Sequence, residues 1–89
     1  MKKKKLVISN KLGLHARAAC RLIDIACKHN ANIEIVFKDK RVNAKSIIGL
    51  MTLAAPQWTE VEVITEGDDE QELISSVEQL FVNKFNESE

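Results

Sequence analysis

The spacing of apolar residues along the chain changes between two periods, one typical of β-strands and the other of α-helices. We predict strands at residues 5–9, 33–37 and 60–66, where β-branched residues are common and apolar positions tend to alternate with polar ones. A hairpin turn at 38–40 leads to a brief return strand at 41–43. The regular alternation in 60–66 is typical of a sheet with one face in water.

Three other segments have apolar residues at helical spacing. Residues 16–28 carry a broad apolar face, and Ser46 is a natural N-cap for a short helix at 47–53. Asp68 or Asp69 caps a final helix whose apolar residues are Leu73, Val77, Leu80 and Phe81. The element order is therefore βαββαβα. Because the hairpin excludes a sheet that is parallel throughout, we expect an α+β fold with a mostly antiparallel sheet and helices on one face.

Length and charge limit what the chain can do. With 89 residues it is expected to form a single domain, 1–89, with chemistry at its surface because there is little room for a buried cleft. Its 13 basic and 13 acidic residues cancel, whereas a nucleic-acid binder usually shows a basic excess. Only three Phe, one Trp and no Tyr are present, which argues against an RNA-binding domain that stacks bases.

The basic run at residues 2–5 is interpreted as a solvated lead-in to the first strand, with contact to nucleic acid or anionic lipid as the alternative. No apolar stretch approaches the roughly 18–20 residues that span a membrane. Four lysines followed by only three apolar residues do not form a signal peptide either. We therefore expect a cytoplasmic protein with no nucleic-acid and no membrane partner.

The two cysteines, Cys20 and Cys27, fall on one predicted helix, seven residues apart. Their Cα atoms would lie roughly 10 Å apart, beyond the reach of about 7 Å for a disulfide. A metal site made of both cysteines and His29 is the alternative, but it matches no usual zinc spacing. We expect the cysteines to be small apolar filler, and we predict no metal and no cofactor.

The candidate chemistry lies in residues 10–19, where His15 stands at the start of the first helix. The first N–H groups of a helix have no internal partners, and with the helix dipole they attract an anion. Arg17 adds a charge with bidentate phosphate-binding geometry. Because positive potential disfavours a protonated imidazole, we expect a neutral His15 whose lone pair can attack phosphorus. On spacing alone the motif is weak, and an ordinary polar residue at a helix start remains the alternative.

Two blocks of sequence resemble a known family. Residues 12–17, Leu-Gly-Leu-His-Ala-Arg, are similar to the active-site motif of HPr, the histidine-containing phosphocarrier of the bacterial phosphotransferase system. Residues 42–53, Val-Asn-Ala-Lys-Ser-Ile-Ile-Gly-Leu-Met-Thr-Leu, resemble the regulatory serine segment of that family. The resemblance extends over essentially the whole chain. It implies an open-faced β-sandwich, in which three helices cover one face of a four-stranded, mainly antiparallel sheet.

The resemblance also implies a mechanism. His15 would take a phosphoryl group on Nδ1 from an enzyme I-type protein that uses phosphoenolpyruvate, and would pass it to an enzyme IIA-type acceptor. Arg17 and the backbone N–H groups of Ala16, Arg17 and Ala18 would hold the phosphate. The chain would then be a monomeric covalent intermediate without turnover of its own. Ser46 would be a regulatory phosphorylation site, which requires an HPr serine kinase/phosphorylase as a further partner.

Ala18 departs from most sugar-branch members, which have Pro there, and the chain looks more like NPr, the nitrogen-branch paralogue. The alternatives are a sugar-branch HPr and an allosteric HPr-like binding module that acts through Ser46.

For the helix at 47–53 we expect Leu50 and Leu53 in the core. We expect partners to dock on an exposed patch made by the two helix starts, consisting of Ile47, Ile48 and Met51 next to Cys20 and Arg17. The alternative is that all the apolar residues of that helix are core.

Overall fold

The computed structural model describes residues 1–88 and contains four strands and three helices within them. In chain order they are β1 (Lys2–Val7), α1 (Ala16–Cys27), β2 (Asn32–Phe37), β3 (Lys40–Asn43), α2 (Ile47–Leu53), β4 (Glu60–Glu66) and α3 (Glu70–Val82). A single turn at Lys84–Asn86 follows α3. The predicted order βαββαβα is confirmed, and the final turn is an addition to it.

The four strands form one sheet in the order β1-β4-β2-β3, and all three pairings are antiparallel. Leu6 of β1 lies opposite Val61 of β4, and Ile35 of β2 lies opposite both Val63 of β4 and Val42 of β3. The prediction of a mainly antiparallel four-stranded sheet is therefore confirmed. β1 and β3 are its edge strands.

The basic run at Lys2–Lys5 is exposed, as expected, but it is not a lead-in, because these residues form most of β1. The strand begins at Lys2 and ends at Val7, whereas the pattern predicted residues 5–9. Lysines are frequent on edge strands, where their charge discourages pairing with another chain. Lys4 also reaches Glu78 of α3, with 2.8 Å between Nζ and Oε1. Since an edge strand with charged residues on both faces shows no apolar alternation, periodicity alone misses it.

The helices cover one face of the sheet and enclose the core. Its largest fully buried side chains include Ile8, Leu22, Ile33, Ile35, Leu50, Leu73, Val77, Phe81 and Phe85. They come from strands, from all three helices and from the final turn, which confirms the open-faced sandwich with helices on one side. Within residues 1–88, no helix is long and apolar enough to cross a membrane.

Two predicted helix caps have different outcomes. Ser46 is the N-cap of α2, and its hydroxyl accepts a hydrogen bond from the Gly49 N–H at 3.2 Å, as expected. Asp69 is the N-cap residue of α3 but makes no side-chain bond to its own helix. Its carboxylate accepts the N–H groups of Asn30 and Ala31 at 3.0 and 2.8 Å, and these bonds hold the pKa of Asp69 below its usual value. This carboxylate therefore ties the α1–β2 connection to the start of α3.

Candidate functional site

A tight loop ahead of α1 fixes the position of His15. Gly13 has a φ of 71°, and its N–H donates to the carbonyl of Asn10 at 3.1 Å. The N–H of the buried Leu14 donates to the carbonyl of Ala55 at 2.9 Å. A Cβ on Gly13 would lie 2.6 Å from that same carbonyl oxygen, so only glycine allows the loop to press this closely on the segment after α2.

His15 is the N-cap of α1, which confirms its predicted position. Its backbone is extended, and its carbonyl accepts the N–H of Ala19 at 2.9 Å as the first bond of the helix. Its Nδ1 accepts the backbone N–H of Arg17 at 3.3 Å. The side chain is 26% exposed. The ring therefore directs Nδ1 toward the open N–H groups of the helix while it stays accessible from outside.

The first turn of α1 contains Ala16, Arg17 and Ala18, the three residues predicted to surround a phosphate. Ala16 and Arg17 are exposed, whereas Ala18 is fully buried. A surface depression of about 440 Å³ lies beside this turn and is lined by Lys11, Leu12, Arg17, Arg21, Asn86, Glu87 and Ser88. Three of these side chains are cationic and one, Glu87, is acidic, so the balance of charge suits an anion beside the helix start.

Glu87 is the residue of the site that sequence reasoning missed. Its Oε2 lies 2.5 Å from Nε2 of His15, and its Oε1 accepts a hydrogen bond from Nδ2 of Asn10 at 2.9 Å. Nη1 of Arg21 is 3.7 Å from the same carboxylate. Glu87 follows the last helix, in a segment with no periodic pattern, and nothing in the local sequence connects it to a residue 72 positions earlier.

The surroundings of Glu87 favour the ionised form of its carboxylate. Desolvation by the surrounding protein acts to raise its pKa, but hydrogen bonds from Asn10 and His15, together with the nearby charge of Arg21, hold the pKa of Glu87 below its usual value. The positive surroundings expected for His15 are therefore present only on the Nδ1 side, where the helix start faces the ring, because a negative charge lies against Nε2.

The turn at Lys84–Asn86 holds Glu87 in place. Phe85 is fully buried and packs on Phe81, with 4.7 Å between the ring centroids. Nη1 of Arg21 donates to the carbonyl of Phe85 at 2.6 Å. One arginine of α1 thus contacts both the turn and the carboxylate that the turn carries.

α1 and α2 run in opposite directions, which corrects one expectation. Leu14, just ahead of α1, bonds to Ala55, just beyond α2, while Nζ of Lys45, just ahead of α2, donates to the carbonyl of His29 at 2.9 Å, just beyond α1. The start of each helix therefore adjoins the end of the other. The two helix starts do not form one patch, because β3 returns the chain to the far end of α1 before α2 begins.

The division of α2 into buried and exposed residues agrees with the expectation. Leu50 and Leu53 are buried, whereas Ile47 is 39% and Ile48 is 75% exposed. Met51 is half-buried and lines a shallow depression of about 300 Å³ with Ile47, Ile48 and Thr52. The alternative that all the apolar residues of α2 are core is therefore wrong.

Cys20 and Cys27 are both exposed and free, so the expectation that they fill space in the core was wrong. Their positions on α1 lie off the face that buries Ala18, Leu22 and Ala26. Across residues 1–88, no group of three or more His, Cys, Asp or Glu side chains is arranged to hold a metal ion.

Comparisons with protein families, sequences and solved structures all find similar proteins of the same kind. A family model described as "PTS HPr component phosphorylation site" matches residues 2–83. The phosphocarrier protein HPr of Xylella fastidiosa (strain 9a5c) is 45% identical over 82 residues, which are 92% of each chain. That of Neisseria meningitidis serogroup A is 42% identical over 89 residues, the full length of both. The crystal structure of HPr-C-His from Thermoanaerobacter tengcongensis matches with a TM-score of 0.96 and 42% identity, again over both full lengths.

Proposed function

The chain belongs to the HPr family of phosphocarrier proteins of the phosphotransferase system, and we propose that it carries the phosphoryl group on Nδ1 of His15. The observation that supports this is the position of Nδ1 against the Arg17 N–H, in the first turn of α1. The proposed donor is an enzyme I-type protein charged from phosphoenolpyruvate. The proposed acceptor is an enzyme IIA-type protein.

The geometry suits this chemistry. An atom that accepts an N–H bond carries a lone pair, so Nδ1 can attack phosphorus without first losing a proton. As the new bond to phosphorus forms, the bond to the donor breaks and its electron pair stays with the donor. The Arg17 N–H is then released to a phosphoryl oxygen. The dipole of α1 and the Arg17 guanidinium stabilise the added charge.

The direct test replaces His15 by alanine. We expect His15→Ala to accept no label from phosphoenolpyruvate and the donor enzyme, and His29→Ala to be labelled normally. The label on the wild-type protein should be lost in acid and kept in base, as phosphoramidates behave. Labelling of His15→Ala would contradict the proposal and favour the alternative of an allosteric module acting through Ser46.

The proposed docking surface consists of Ile47, Ile48 and Met51 of α2 with Cys20 of α1. Ile47, Ile48 and Met51 share a shallow depression, and apolar side chains arranged in this way are typical of interaction sites, while Cys20 is exposed on α1. We expect Ile48→Glu and Met51→Glu each to slow phosphoryl transfer while the fold stays intact. Val82→Glu is the matched control, because Val82 is 66% exposed on α3. Normal transfer in both α2 variants would contradict the docking role.

Ser46 is proposed as a regulatory phosphorylation site, served by an HPr serine kinase/phosphorylase. A phosphate there adds about −1.5 to −2 charges, which the N-terminus of α2 can accommodate without unfolding. The phosphate would then place negative charge beside the exposed apolar residues of the docking surface, which would weaken the binding of a partner there. We expect Ser46→Asp to be phosphorylated on His15 more slowly than the wild type at low salt. If Ser46→Asp and the protein with authentic phosphoserine at 46 are both phosphorylated on His15 as fast as the wild type, Ser46 is only a helix cap.

The nitrogen branch is the proposed setting, with the sugar branch as the alternative. Ala18 supplies a backbone N–H in the first turn of α1, where Pro would supply none. Incubation with phosphoenolpyruvate and each of the two donor types distinguishes the branches. We expect faster labelling from the nitrogen-branch donor, and faster labelling from the sugar-branch donor would overturn this assignment.

A further inference from the structure

We propose that Glu87 is a positioning residue that holds His15 in the tautomer able to receive a phosphoryl group, an inference that rests on the proposed role of His15. Four observations carry it. They are the hydrogen bonds at the two ring nitrogens, the anchoring of the carboxylate by Asn10, the strained turn that precedes Glu87, and the burial of Phe85 within that turn.

The hydrogen bonds at the ring specify one tautomer. A backbone N–H can only donate, so the contact between Arg17 N and Nδ1 requires Nδ1 to be unprotonated. A neutral imidazole carries its single proton on the other nitrogen, which places it on Nε2. There the ionised carboxylate of Glu87 can only accept. Both contacts therefore favour the ring that is protonated at Nε2 and has its lone pair at Nδ1.

The carboxylate is itself anchored to the loop that carries His15. Asn10 is fully buried, and its Nδ2 donates both to the carbonyl of Gly13 at 2.7 Å and to Oε1 of Glu87 at 2.9 Å. The side-chain amide of Asn10 thus links the loop that precedes His15 to the carboxylate of Glu87. The ring is therefore held between the first turn of α1, which contacts Nδ1, and a carboxylate at Nε2 that is bonded to the preceding loop.

The backbone before Glu87 has an unusual conformation. Lys84, Phe85 and Asn86 have φ values of 56°, 55° and 62°, in a region that residues other than glycine rarely adopt. Such strain persists where the surroundings determine it, and here the buried Phe85 side chain and the Arg21 bond to its carbonyl do so. The result of the turn is to carry Glu87 back to the ring of His15.

The arrangement bears on the transfer step. When Nδ1 forms its bond to phosphorus and the donor leaves with its electron pair, Nε2 keeps its proton and the ring gains positive charge. The carboxylate of Glu87 lies where it stabilises that charge. It also opposes a ring flip that would exchange the two nitrogens. Glu87 itself need not touch the phosphoryl group, so it positions the reacting residue.

The test is Glu87→Gln, which keeps the size of the side chain. Glutamine offers one acceptor oxygen, whereas Nδ2 of Asn10 and the proton on Nε2 of His15 both need one. The amide nitrogen must then face one of these donors. We expect ¹⁵N NMR of the neutral ring to show a reduced population protonated at Nε2. We expect phosphoryl acceptance to be about tenfold slower, as for other partners that orient a histidine.

Glu78→Gln is the matched control, because Glu78 pairs with Lys4 on the surface, away from His15. It should leave the tautomer and the rate unchanged, and circular dichroism should show all variants folded. If Glu87→Gln keeps both the wild-type tautomer and the wild-type rate, the inference is wrong. The NMR measurement needs no phosphoryl donor, so this failure is distinct from the labelling of His15→Ala, which would overturn the proposed function.

Discussion

Replacing Gly13 by alanine should destabilise the protein far more than the same change at Gly49. At Gly13 the backbone has a φ of 71°, which costs a residue with a Cβ about 1–2 kcal/mol. The new Cβ would also lie 2.6 Å from the carbonyl oxygen of Ala55 and 2.9 Å from Cα of Pro56. Both are backbone atoms, so relief requires the loop to move, at a further cost of about 1–3 kcal/mol. We expect a total loss of about 2–5 kcal/mol.

Gly49 provides the control because it lies inside α2 without a positive φ. A Cβ there would lie 3.3 Å from the carbonyl oxygen of Asn43 and 3.4 Å from Cβ of Val42, which is tight but not prohibitive. Alanine gains about 1 kcal/mol over glycine in a helix interior, and this offsets the crowding. We therefore expect Gly49→Ala to stay within about 1 kcal/mol of the wild type.

Thermal unfolding followed by circular dichroism measures both variants. A loss of even about 2 kcal/mol lowers the Tm of a domain this size by roughly 8–16 °C, at about 4–8 °C per kcal/mol. A Gly13→Ala protein that melts with the wild type would refute the reasoning. So would a Gly49→Ala protein that melts below Gly13→Ala, because of the two sites only Gly13 combines a positive φ with backbone atoms closer than 3.0 Å to the new Cβ.

Three further predictions concern stability. The pKa values of Glu87 and Asp69 are lowered in the folded state, so the stabilisation from these groups is complete above their ordinary pKa values of 4.5 and 3.8 and is lost as pH falls through the folded pKa values. The free energy of unfolding in urea should therefore be smaller at about pH 3 than at about pH 6. The difference between the two pH values should be smaller in Glu87→Gln. Phe85→Ala should cost about 3–5 kcal/mol in the same assay because Phe85 is fully buried, while the exposed Val82→Ala should cost under about 0.5 kcal/mol. Ser46→Ala should cost about 1 kcal/mol through the lost bond to the α2 backbone, and no change in urea midpoint would contradict the cap.

Most of the fold could be predicted from the sequence because most elements bury one face. β2, β4 and the three helices each place apolar residues on the core at the period of their own geometry. β1 was displaced in the prediction because its lysines give no period, and edge strands need none. The opposite directions of α1 and α2 depend on where β3 ends in space, which no local pattern encodes.

The site divides in the same way. Ser46 is recognisable as a cap from the few residues around it. The candidate roles of His15 and Arg17 depend on the family resemblance, because a histidine at a helix start is a weak local signal. Glu87 has no such signature, since its partners Asn10 and His15 are more than 70 residues away in the chain. The exposed positions of Cys20 and Cys27 follow from how α1 is rotated on the sheet, and small residues at helical spacing do not fix that rotation.

The opposite directions of α1 and α2 also determine how Ser46 could act on His15. α2 has seven residues and is about 10 Å long, and His15 adjoins the end remote from Ser46. Since the Debye length is about 8 Å at physiological ionic strength, a charge on Ser46 acts weakly on the ring itself. It lies directly beside the exposed Ile47 and Ile48. Regulation at Ser46 should therefore weaken the binding of the partner and leave the transfer rate unchanged once the partner is saturating.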